Sequence, residues 1–554
     1  MALAQAKTTP TAAPRGESSQ EMLKRSRSNE LFIAIVGPAG AGVGTCALAL
    51  KSLLESEVVN STPFDVKIVK GSEVIREWAN SKGLALPSIA DGGQKTLDAM
   101  EMMQDRGDDM RRMTNDHAAV ARAIIKKIMV LRADATGVKV EEQAPVIPDG
   151  KPRAFIIDSL RHPAEAHLLR RVYQDAFALV GVVCAPEERE RRLLENCFRF
   201  NVRSQPEAKE KVAKFMDRDA DAPDKHGQHV TETFHEADFF VDNSDKAHPN
   251  QTNMNEPLRR FVQLMTMNKV VRPTIAETAM HHAHSARLRS ACMSRQVGAA
   301  LVDPRGNIVA TGTNEVPRAG GGVYGEGFDR AQELHDYRCI FRETPYCSSN
   351  KEQNNIIQEL FKAFPELLNI RSEKEATDAI RKTRVGGLIE FSRAVHAEMD
   401  AILSAARVGV SPVGCRLFVT TFPCHYCARH IVTAGIDEVQ YIEPYPKSRA
   451  MHLHSDSIVT TEVGWAVPSR ALARQEIDDE QTAKEAREAE HARVLFRPFT
   501  GVAPRMYARA FLKDRDYKDK TTGDMQLGTP DWGGPWDLFQ VPYTKLEAEL
   551  SEAF

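Results

Sequence analysis

The sequence predicts an α/β protein with two domains, because short apolar runs alternate with helical patterns in two separate stretches. The first stretch opens with the apolar run 31–36, which a glycine-rich loop and a helix over about residues 46–54 follow directly. The second stretch opens near residue 274 with a helix, a strand pair and further strand–helix repeats. Such alternation is typical of parallel sheets covered by helices. The 554 residues are enough for about two to four domains.

The first predicted domain spans residues 29–268. Apolar runs at 154–157 and 177–184 are each followed by a charged helical pattern, which predicts two more strand–helix units. The run 237–241 predicts the last strand, and the pattern over 258–265 predicts a closing helix. Together these elements predict a parallel sheet with helices on its faces.

The second predicted domain spans residues 269–447. Apolar runs at 297–302 and 308–312, joined by a turn, predict a hairpin, and a long polar insertion, residues 315–392, follows it. The tail, residues 448–554, is predicted to pack on this domain as an extension with its own charged helix at 474–493. Between insertion and tail we predict helices at 396–406 and 424–434 and strands at 416–421 and 438–443.

Composition and charge argue against several classes of protein. The chain has 73 Lys and Arg against 76 Asp and Glu, a net charge of −3, so it lacks the basic excess that nucleic-acid-binding proteins usually carry. No apolar run approaches ~18 residues, so we expect no association with a membrane. Nine scattered cysteines fit a reducing cytoplasm better than a disulfide framework. Residues 1–28, rich in Ala, Thr, Pro and Ser, predict a disordered arm.

The most informative residues are His396, Glu398, Cys424 and Cys427, which form the pattern H-x-E followed by P-C-x-x-C. This pattern is typical of zinc-dependent deaminases. One imidazole and two thiolates leave the fourth zinc position for water, as a hydrolytic site requires. Glu398 would not bind the metal; it would be the catalytic group that moves a proton during attack on C4 of cytosine or C6 of adenine.

Two other interpretations of the cysteines stay open. The C-x-x-C pair could belong to a structural zinc site or to the core, although a structural zinc usually has four protein ligands. His335, Cys339 and Cys347 in the insertion would suit a second, structural zinc, but the spacing offers no evident fourth ligand. Cys292 and Cys415 have apolar neighbours in the sequence and are predicted to lie in the core.

Four motifs stand in order in the second predicted domain. They are Ser-Arg-Gln-Val-Gly-Ala at 294–299, Gly-Thr-Asn-Glu-Val-Pro at 312–317, His-Ala-Glu at 396–398 and Thr-Phe-Pro-Cys-His-Tyr-Cys at 421–427. Over about residues 275–445 these motifs resemble the deoxycytidylate deaminase family. The resemblance implies a cytidine-deaminase-like α/β/α domain, a Zn²⁺ cofactor, and a homo-oligomer that is often a hexamer.

The same resemblance implies substrate contacts. Asn314 would contact the nucleoside, while Ser294 and Arg295 would lie near the nucleotide. Asn314 could instead be a turn residue. The family usually has Gly where Glu315 stands in this chain, so the geometry of that loop can differ from the family's.

The glycine-rich loop after the first strand has the context in which backbone amides bind phosphate. Residues 37–45 resemble the phosphate loop of nucleoside monophosphate kinases, which implies a P-loop NTPase or kinase-like fold. Val43 occupies the position of the kinase lysine, so phosphoryl transfer lacks its main cation and a regulatory role is predicted. Nucleotide binding with Mg²⁺ is an open expectation, as is a scaffold that binds nothing. The candidate nucleotide-binding residues are Gly37, Gly40, Gly42, Gly44, Thr45 and Asp158.

The two domains in this order resemble the bacterial antiviral deoxycytidine nucleotide deaminases of the AvcD type. That resemblance implies deamination of dCTP and dCMP, depletion of dCTP during phage infection, and restraint by a small inhibitory RNA. Two alternatives stay open. A polynucleotide cytidine or adenosine deaminase would share the zinc chemistry. A protein that only senses nucleotides would bind without turnover.

Overall fold

The computed structural model divides the chain into two compact units, one of residues 1–271 with 509–554 and one of residues 272–508. The first division falls close to the predicted domain boundary at 268/269. The predicted arm, up to residue 27, and most of the predicted helix 474–493 lie outside the described residues. The structure describes residues 28–59, 62–87, 96–139, 144–222, 224–244, 254–266, 269–325, 336–369, 372–388, 391–445, 448–462, 464–473, 492–512, 518–524 and 543–551.

Five parallel strands form the main sheet of the first unit, in the order β7-β6-β1-β5-β4. Every residue of the two central strands β1 and β6 is buried, which explains their uninterrupted apolar sequences. A separate antiparallel hairpin holds β2 and β3. The strands are β1 (Glu30–Val36), β2 (Val58–Val59), β3 (Thr62–Pro63), β4 (Asp65–Lys70), β5 (Arg153–Asp158), β6 (Phe177–Val183) and β7 (Phe239–Asp242).

The described part of the first unit contains nine helices between residues 43 and 266. Proline at the first turn starts three of them, α5, α6 and α7, because its missing amide costs nothing at a helix N-terminus. The helices are α1 (Val43–Ser56), α2 (Gly71–Ser81), α3 (Leu97–Thr114), α4 (Ala119–Thr136), α5 (Pro163–Tyr173), α6 (Pro186–Cys197), α7 (Pro206–Ala220), α8 (Val230–His235) and α9 (Asn255–Thr266).

Six strands form the sheet of the second unit, in the order β12-β13-β11-β10-β8-β9. The β8–β9 pair is the predicted antiparallel hairpin, and β10 pairs antiparallel with β8 but parallel with β11. The parallel partner β13 was not predicted. The strands are β8 (Gly298–Val302), β9 (Ile308–Thr313), β10 (Arg416–Thr421), β11 (Glu438–Glu443), β12 (Ile458–Val459), β13 (Val494–Pro498) and, outside this sheet, β14 (Gly501–Val502).

The helices of the second unit pack on this sheet or form the insertion. Ala401, Leu417, Ile431 and Phe496 belong to one buried cluster that joins the two metal-motif helices, α13 and α14, to the sheet. The insertion contributes α11 and α12, which have a small core of their own around Ile357. The helices are α10 (Ile275–Arg287), α11 (Ser348–Ala363), α12 (Glu373–Arg381), α13 (Ala397–Arg407), α14 (His425–Thr433), α15 (Ala450–Leu453), α16 (Pro468–Ala473) and α17 (Pro504–Phe511).

The last described helix, α18 (Tyr543–Ser551), belongs to the first unit. The prediction that the whole tail packs on the second domain is therefore wrong for its last described helix. The reason is a buried ion network: Arg132 of α4 binds Glu547 at 2.6 Å and Glu30 of β1 at 2.7 Å, with all three side chains shielded from solvent. No helix among the described residues combines the length and apolar composition that crossing a bilayer requires.

Candidate active site

Three predicted metal ligands converge at the starts of α13 and α14. His396 is the N-cap of α13, and Cys424 is the N-cap of α14 with Cys427 one turn further on. The His396 Nδ1 atom lies 3.3 Å from the Sγ atoms of both cysteines. The three ligand atoms lie within 4.8 Å of one another. In the described part of the chain, no other group of three or more His, Cys, Asp or Glu residues brings its ligand atoms this close together.

This donor set fits Zn²⁺. Tetrahedral coordination at the usual Zn–N and Zn–S lengths implies a nitrogen–sulfur separation of about 3.5 Å, close to the observed 3.3 Å. One imidazole and two thiolates are borderline-soft ligands that zinc prefers, and three protein ligands are typical of catalytic rather than structural sites. The structure therefore favours the catalytic interpretation of His396, Cys424 and Cys427.

Glu398 lies beside the ligands but does not belong to the ligand set. It sits in the first turn of α13 and is 4 % exposed. Burial raises the pKa of its carboxyl to about 7. A carboxyl with that pKa can both accept and release a proton near neutral pH, as general acid–base catalysis requires.

The two thiols differ in acidity. The hydrogen bond with Cys427, and then the His396 imidazole, lower the pKa of the Cys424 thiol to about 4. The same bond and its burial raise the pKa of Cys427. Burial opposes the charge of the His396 imidazole, but the bond to Cys424 and the charge of Glu398 raise its pKa to about 9. A bound Zn²⁺ would hold both thiols as thiolates.

Two glycines of the hairpin let helices approach the sheet closely enough to form the site. A Cβ atom added at Gly312 of β9 would lie 2.1 Å from the Ala397 carbonyl oxygen and 2.4 Å from the Ala401 amide nitrogen, both in α13. A Cβ at Gly298 of β8 would lie 1.9 Å from the Ala283 carbonyl oxygen of α10. Only glycine fits at such backbone contacts.

A cleft of about 400 Å³ opens over the ligands. The predicted substrate residues Asn314, Ser294 and Arg295 all line it, so the structure brings them together with the metal motif. The Asn314 side chain accepts from the Val297 amide at 2.6 Å and donates to the Arg295 carbonyl at 2.7 Å. Asn314 thus anchors the Ser294–Arg295 segment and keeps one donor and one acceptor position for other partners.

Comparison with known proteins agrees with this geometry. The profile of the family described as the cytidine and deoxycytidylate deaminase zinc-binding region matches residues 273–443. The deoxycytidylate deaminase of Enterobacteria phage T4 is 29 % identical over 174 residues, which cover 31 % of this chain and 80 % of that protein. The deoxycytidylate deaminase of Enterobacteria phage T2 is 30 % identical over 174 residues, which cover 31 % of this chain and 82 % of that protein. The chain belongs to the deoxycytidylate deaminase family.

A solved structure from the same family is also similar. The dCMP deaminase of cyanophage S-TIM5, in complex with dCMP and dUMP, is 22 % identical and covers 34 % of this chain and 93 % of its own, with a TM-score of 0.21. The family profile and the two phage T4 and T2 relatives show that the chain is a deaminase. The profile matches the part of the second unit that holds the cleft.

Glu315, the departure from the family pattern, has a structural role in this deaminase. Its carboxylate accepts from the Ala291 amide at 2.7 Å and from its neighbour Val316 at 2.9 Å. Its backbone pairs with Val395, which immediately precedes the His396 ligand. Glu315 therefore ties the loop after β9 to the segment that carries the metal site.

The deaminase cleft also contains residues that the sequence did not single out. Cys292 lines the cleft, so its predicted place in the core is wrong, whereas Cys415 is fully buried as predicted. Cys339 and Cys347 line the cleft as well. His335, the third member of the predicted second zinc site, lies outside the described residues. Arg393, which directly follows the insertion, also lines the cleft and was missed because it belongs to no recognised motif.

The predicted nucleotide-binding residues of the deaminase lie in its first unit. The glycine loop joins β1 to α1, and among the described residues no acceptor is bonded to the amides of Val43, Gly44 and Thr45. Asp158, at the end of β5, places a carboxylate oxygen 3.7 Å from where a Cβ on Gly44 would be. Four of the predicted residues line one cavity there, Gly40, Gly42, Gly44 and Thr45.

Gly37 and Asp158 do not line that cavity. The Val43 side chain is buried, and its Cγ2 atom would lie 3.0 Å from a Cβ atom added at Gly37, so it packs against the start of the loop. On the other side of the loop, the Ala39 amide donates to Asp219 at 2.7 Å, and Asp219 also accepts from Arg161 at 2.7 Å. Asp219 lies on α7, far from the loop in sequence, which is why no local pattern indicated it.

Proposed function

We propose that this deaminase converts deoxycytidine nucleotides, dCMP and dCTP, to the corresponding deoxyuridine nucleotides with release of ammonia. The observation that carries the proposal is the buried Glu398 beside the His396, Cys424 and Cys427 set, at the floor of a cleft that Asn314 also lines. The two phage relatives bear the name deoxycytidylate deaminase, and the cyanophage enzyme binds dCMP and dUMP. These names support the same substrate class here.

In the proposed reaction the protein handles protons and orientation. Zinc, when bound, supplies a Lewis acid that makes water more acidic. Glu398 accepts a proton from the attacking water and delivers it to the pyrimidine ring nitrogen. It then takes the second proton, from the new C4 hydroxyl, and delivers it to the amino group, which leaves as ammonia while the C4 carbonyl forms. Asn314 would orient the nucleoside with the donor and acceptor positions that it has left.

We further propose that the first unit binds a nucleotide, with Mg²⁺, and regulates the deaminase. The support is the glycine loop between a buried strand and a helix, with amides at the start of α1 that have no bonded acceptor among the described residues, and with Asp158 beside Gly44. Val43 in place of the lysine argues against phosphoryl transfer. Thr45→Ala or Asp158→Ala should then alter activation or inhibition by nucleotides and leave the zinc content unchanged.

The biological role that we propose is depletion of dCTP in defence against phage. It rests on the resemblance to antiviral deoxycytidine nucleotide deaminases, as do restraint by a small RNA, assembly into homo-oligomers and a cytoplasmic location. Loss of the dCTP pool would deprive a replicating phage of one DNA precursor. The low net charge of −3 favours small nucleotides over a polynucleotide substrate.

A substrate panel with zinc measured on the same sample tests the function. Wild-type protein should contain zinc and release ammonia from dCMP and dCTP but not from a cytosine-containing single strand. Glu398→Gln should keep the zinc and lower the rate by about 10²–10⁴-fold, because it removes the proton carrier without removing a ligand. Conversion of the single strand alone, or full activity in Glu398→Gln, would contradict the proposal.

A further inference from the structure

One wall of the deaminase cleft comes from an irregular segment, residues 291–297, which we call the cleft loop. It lies between α10 and β8 and contains neither helix nor strand. All of its residues except Gln296 line the cleft, and residues 293–296 are exposed. Irregular, exposed backbone is costly to order. This wall therefore needs bonds from other segments to keep a single shape.

The far end of the cleft loop is held by Asn314. The Asn314 side chain accepts from the Val297 amide at 2.6 Å and donates to the Arg295 carbonyl at 2.7 Å. The Asn314 backbone amide donates to the Val297 carbonyl at 3.2 Å. All three bonds fall on the last three residues of the loop, so its beginning depends on another partner.

The beginning of the cleft loop is held by Glu315. One carboxylate oxygen accepts from the Ala291 amide at 2.7 Å, and the other accepts from the Val316 amide at 2.9 Å. Ser290, directly before the loop, donates from its hydroxyl to the Asn314 carbonyl at 2.7 Å. The side chains of two consecutive residues, Asn314 and Glu315, thus hold the two ends of the cleft loop, one end each.

The Glu315 carboxylate binds backbone amides rather than a cation. It belongs to a residue that is 2 % exposed, and within the described ranges no Lys, Arg or His nitrogen lies within 4 Å of it. Arg338 of the insertion is affected from further away: its bond to Asp336 and, more weakly, the charge of Glu315 raise the pKa of the guanidinium. Two amide donors require two acceptor oxygens, which a carboxylate offers and a carboxamide does not.

The backbone of Glu315 has a separate role. Its amide donates to the Val395 carbonyl at 3.1 Å, and its carbonyl accepts from the Val395 amide at 2.9 Å. Val395 immediately precedes the His396 ligand. These two bonds need no side chain. A change of the side chain at position 315 can therefore loosen the cleft loop and leave the metal site intact.

We propose that Glu315 is a positioning residue that fixes the cleft loop in the shape that receives the substrate, and so determines how tightly deoxycytidine nucleotides bind. The inference rests on the proposed function and deepens it, because it assigns substrate affinity to a residue that departs from the family pattern. A loop that is already ordered loses less conformational entropy on binding, which raises affinity. With Gly at this position, the Ala291 amide would lose its acceptor.

Two variants of the full chain test this role through ammonia release from dCMP and dCTP. Glu315→Gln keeps the size of the side chain but offers one acceptor to two amides. Glu315→Gly removes both side-chain bonds and keeps the backbone pairing with Val395. Each should raise KM for both nucleotides by roughly five- to fiftyfold, because bonds to a charged group are lost. The kcat should stay within about twofold of wild type, and the zinc content should not change.

Hydrogen exchange follows the cleft loop directly and does not depend on turnover. In both variants the amides of residues 291 and 292 should exchange about tenfold faster or more, while α13 keeps its wild-type protection. Saturating dUMP, the proposed product, should slow exchange in the loop again, because a bound ligand orders it. Glu359→Gln, an exposed change on α11, is the matched control and should alter neither KM nor exchange.

The possible outcomes separate a positioning role from a merely structural one. Unchanged KM values, with or without faster exchange, would overturn the proposal. Loss of zinc, or equally faster exchange in the loop and in α13, would also overturn it, since Glu315 would then support the metal site as a whole. A wild-type chain that releases no ammonia from either nucleotide would instead overturn the proposed function. Faster exchange confined to the loop would even then support Glu315 as the residue that positions it.

Discussion

At the scale of single residues, the metal site depends on a glycine, because a larger residue would not fit between strand and helix. Gly312 allows α13 to lie directly on β9, and α13 carries both the His396 ligand and Glu398. Asp400 reinforces this contact, because its carboxylate accepts from the Thr313 amide at 3.0 Å. The distance from hairpin to helix is therefore set by one glycine and one hydrogen bond.

Gly312→Ala should displace the start of α13 and weaken the metal site. The added Cβ would meet backbone atoms at 2.1 and 2.4 Å, which cannot move aside as a flexible side chain could. Overpacking of this kind costs about 1–3 kcal/mol or more. We expect lower zinc content per chain, lower ammonia release and a lower melting temperature. Gly325→Ala, where the Cβ would meet nothing within 4 Å, is the matched control. Wild-type zinc content in Gly312→Ala would contradict the argument.

The chemistry of the site could be predicted from the sequence because its spacing is local. His396 and Glu398 are two residues apart where α13 begins, and Cys424 and Cys427 are three apart at a helix start, so one helical turn brings the two sulfurs to one side. The contribution of Arg393 could not be predicted, because its place in the cleft depends on how the insertion returns to the sheet. The bonds of Asn314 to Val297 and Arg295 depend on the same kind of tertiary contact.

At the scale of elements, several helices are held by the residues that cap them, and α5 is the most informative. Its N-cap is His162, whose Nδ1 accepts from the Ala164 amide at 3.1 Å, while Glu165 bonds back to the His162 amide. The rings of His117 and His229 lie 5.1 and 5.3 Å from the His162 ring. Burial lowers the pKa of His162 to about 4, so this cap works as a neutral imidazole.

The stability of the first unit should fall as the pH drops from about 6.5 to about 4. Because the pKa of His162 is lower in the folded state, the unfolded chain takes up the proton first, and acid favours unfolding in that range. The loss is about 3 kcal/mol at most. Urea unfolding at a series of pH values measures it. His162→Asn keeps a capping acceptor without titrating, so its stability should change less over the same range; an identical pH dependence would count against His162 as the source.

The prediction of elements succeeded where burial is uniform and missed strands where it is not. The runs that became β1, β5 and β6 are apolar throughout because both faces of those strands are covered. The missed strand β4 has the sequence Asp-Val-Lys-Ile-Val-Lys, and its two end residues are exposed at the edge of the sheet. The strand β13 was missed because it lies in the tail, far in sequence from its partner β11. No local periodicity reports such pairing.

At the scale of the whole molecule, the first described strand and the last described helix belong to the same unit. Arg132 holds Glu30 near one end and Glu547 near the other, and Tyr173 donates to Glu547 at 2.6 Å. Tyr543 adds a bond to Glu30 at 3.1 Å. Glu30 is the first residue of β1, the strand that leads into the glycine loop. The last helix therefore supports the strand from which the proposed nucleotide site is built.

Glu547→Ala should destabilise the first unit strongly. It leaves Arg132, which is completely buried, with Glu30 as its single carboxylate partner and with only a long bond of 3.4 Å from Nη1 to the Val146 carbonyl. Removing one partner of a buried ion pair costs about 3–5 kcal/mol. Hydrogen exchange of the peptide that covers β1 measures the effect within this unit. Lys545→Ala, an exposed change on the same helix, should leave exchange unchanged. Equal protection in Glu547→Ala and wild type would show that the network does not hold β1.

The return of α18 to the first unit also sets an order of events during synthesis. Arg132 and Glu30 emerge from the ribosome early, but Glu547 is added more than four hundred residues after Arg132. Until then the central strand lacks the helix that covers its ion pair, while the residues of the deaminase unit, 272–508, are already complete. The deaminase unit can thus form before the proposed regulatory unit, and a nascent chain would carry its catalytic residues ahead of the part that is proposed to control them.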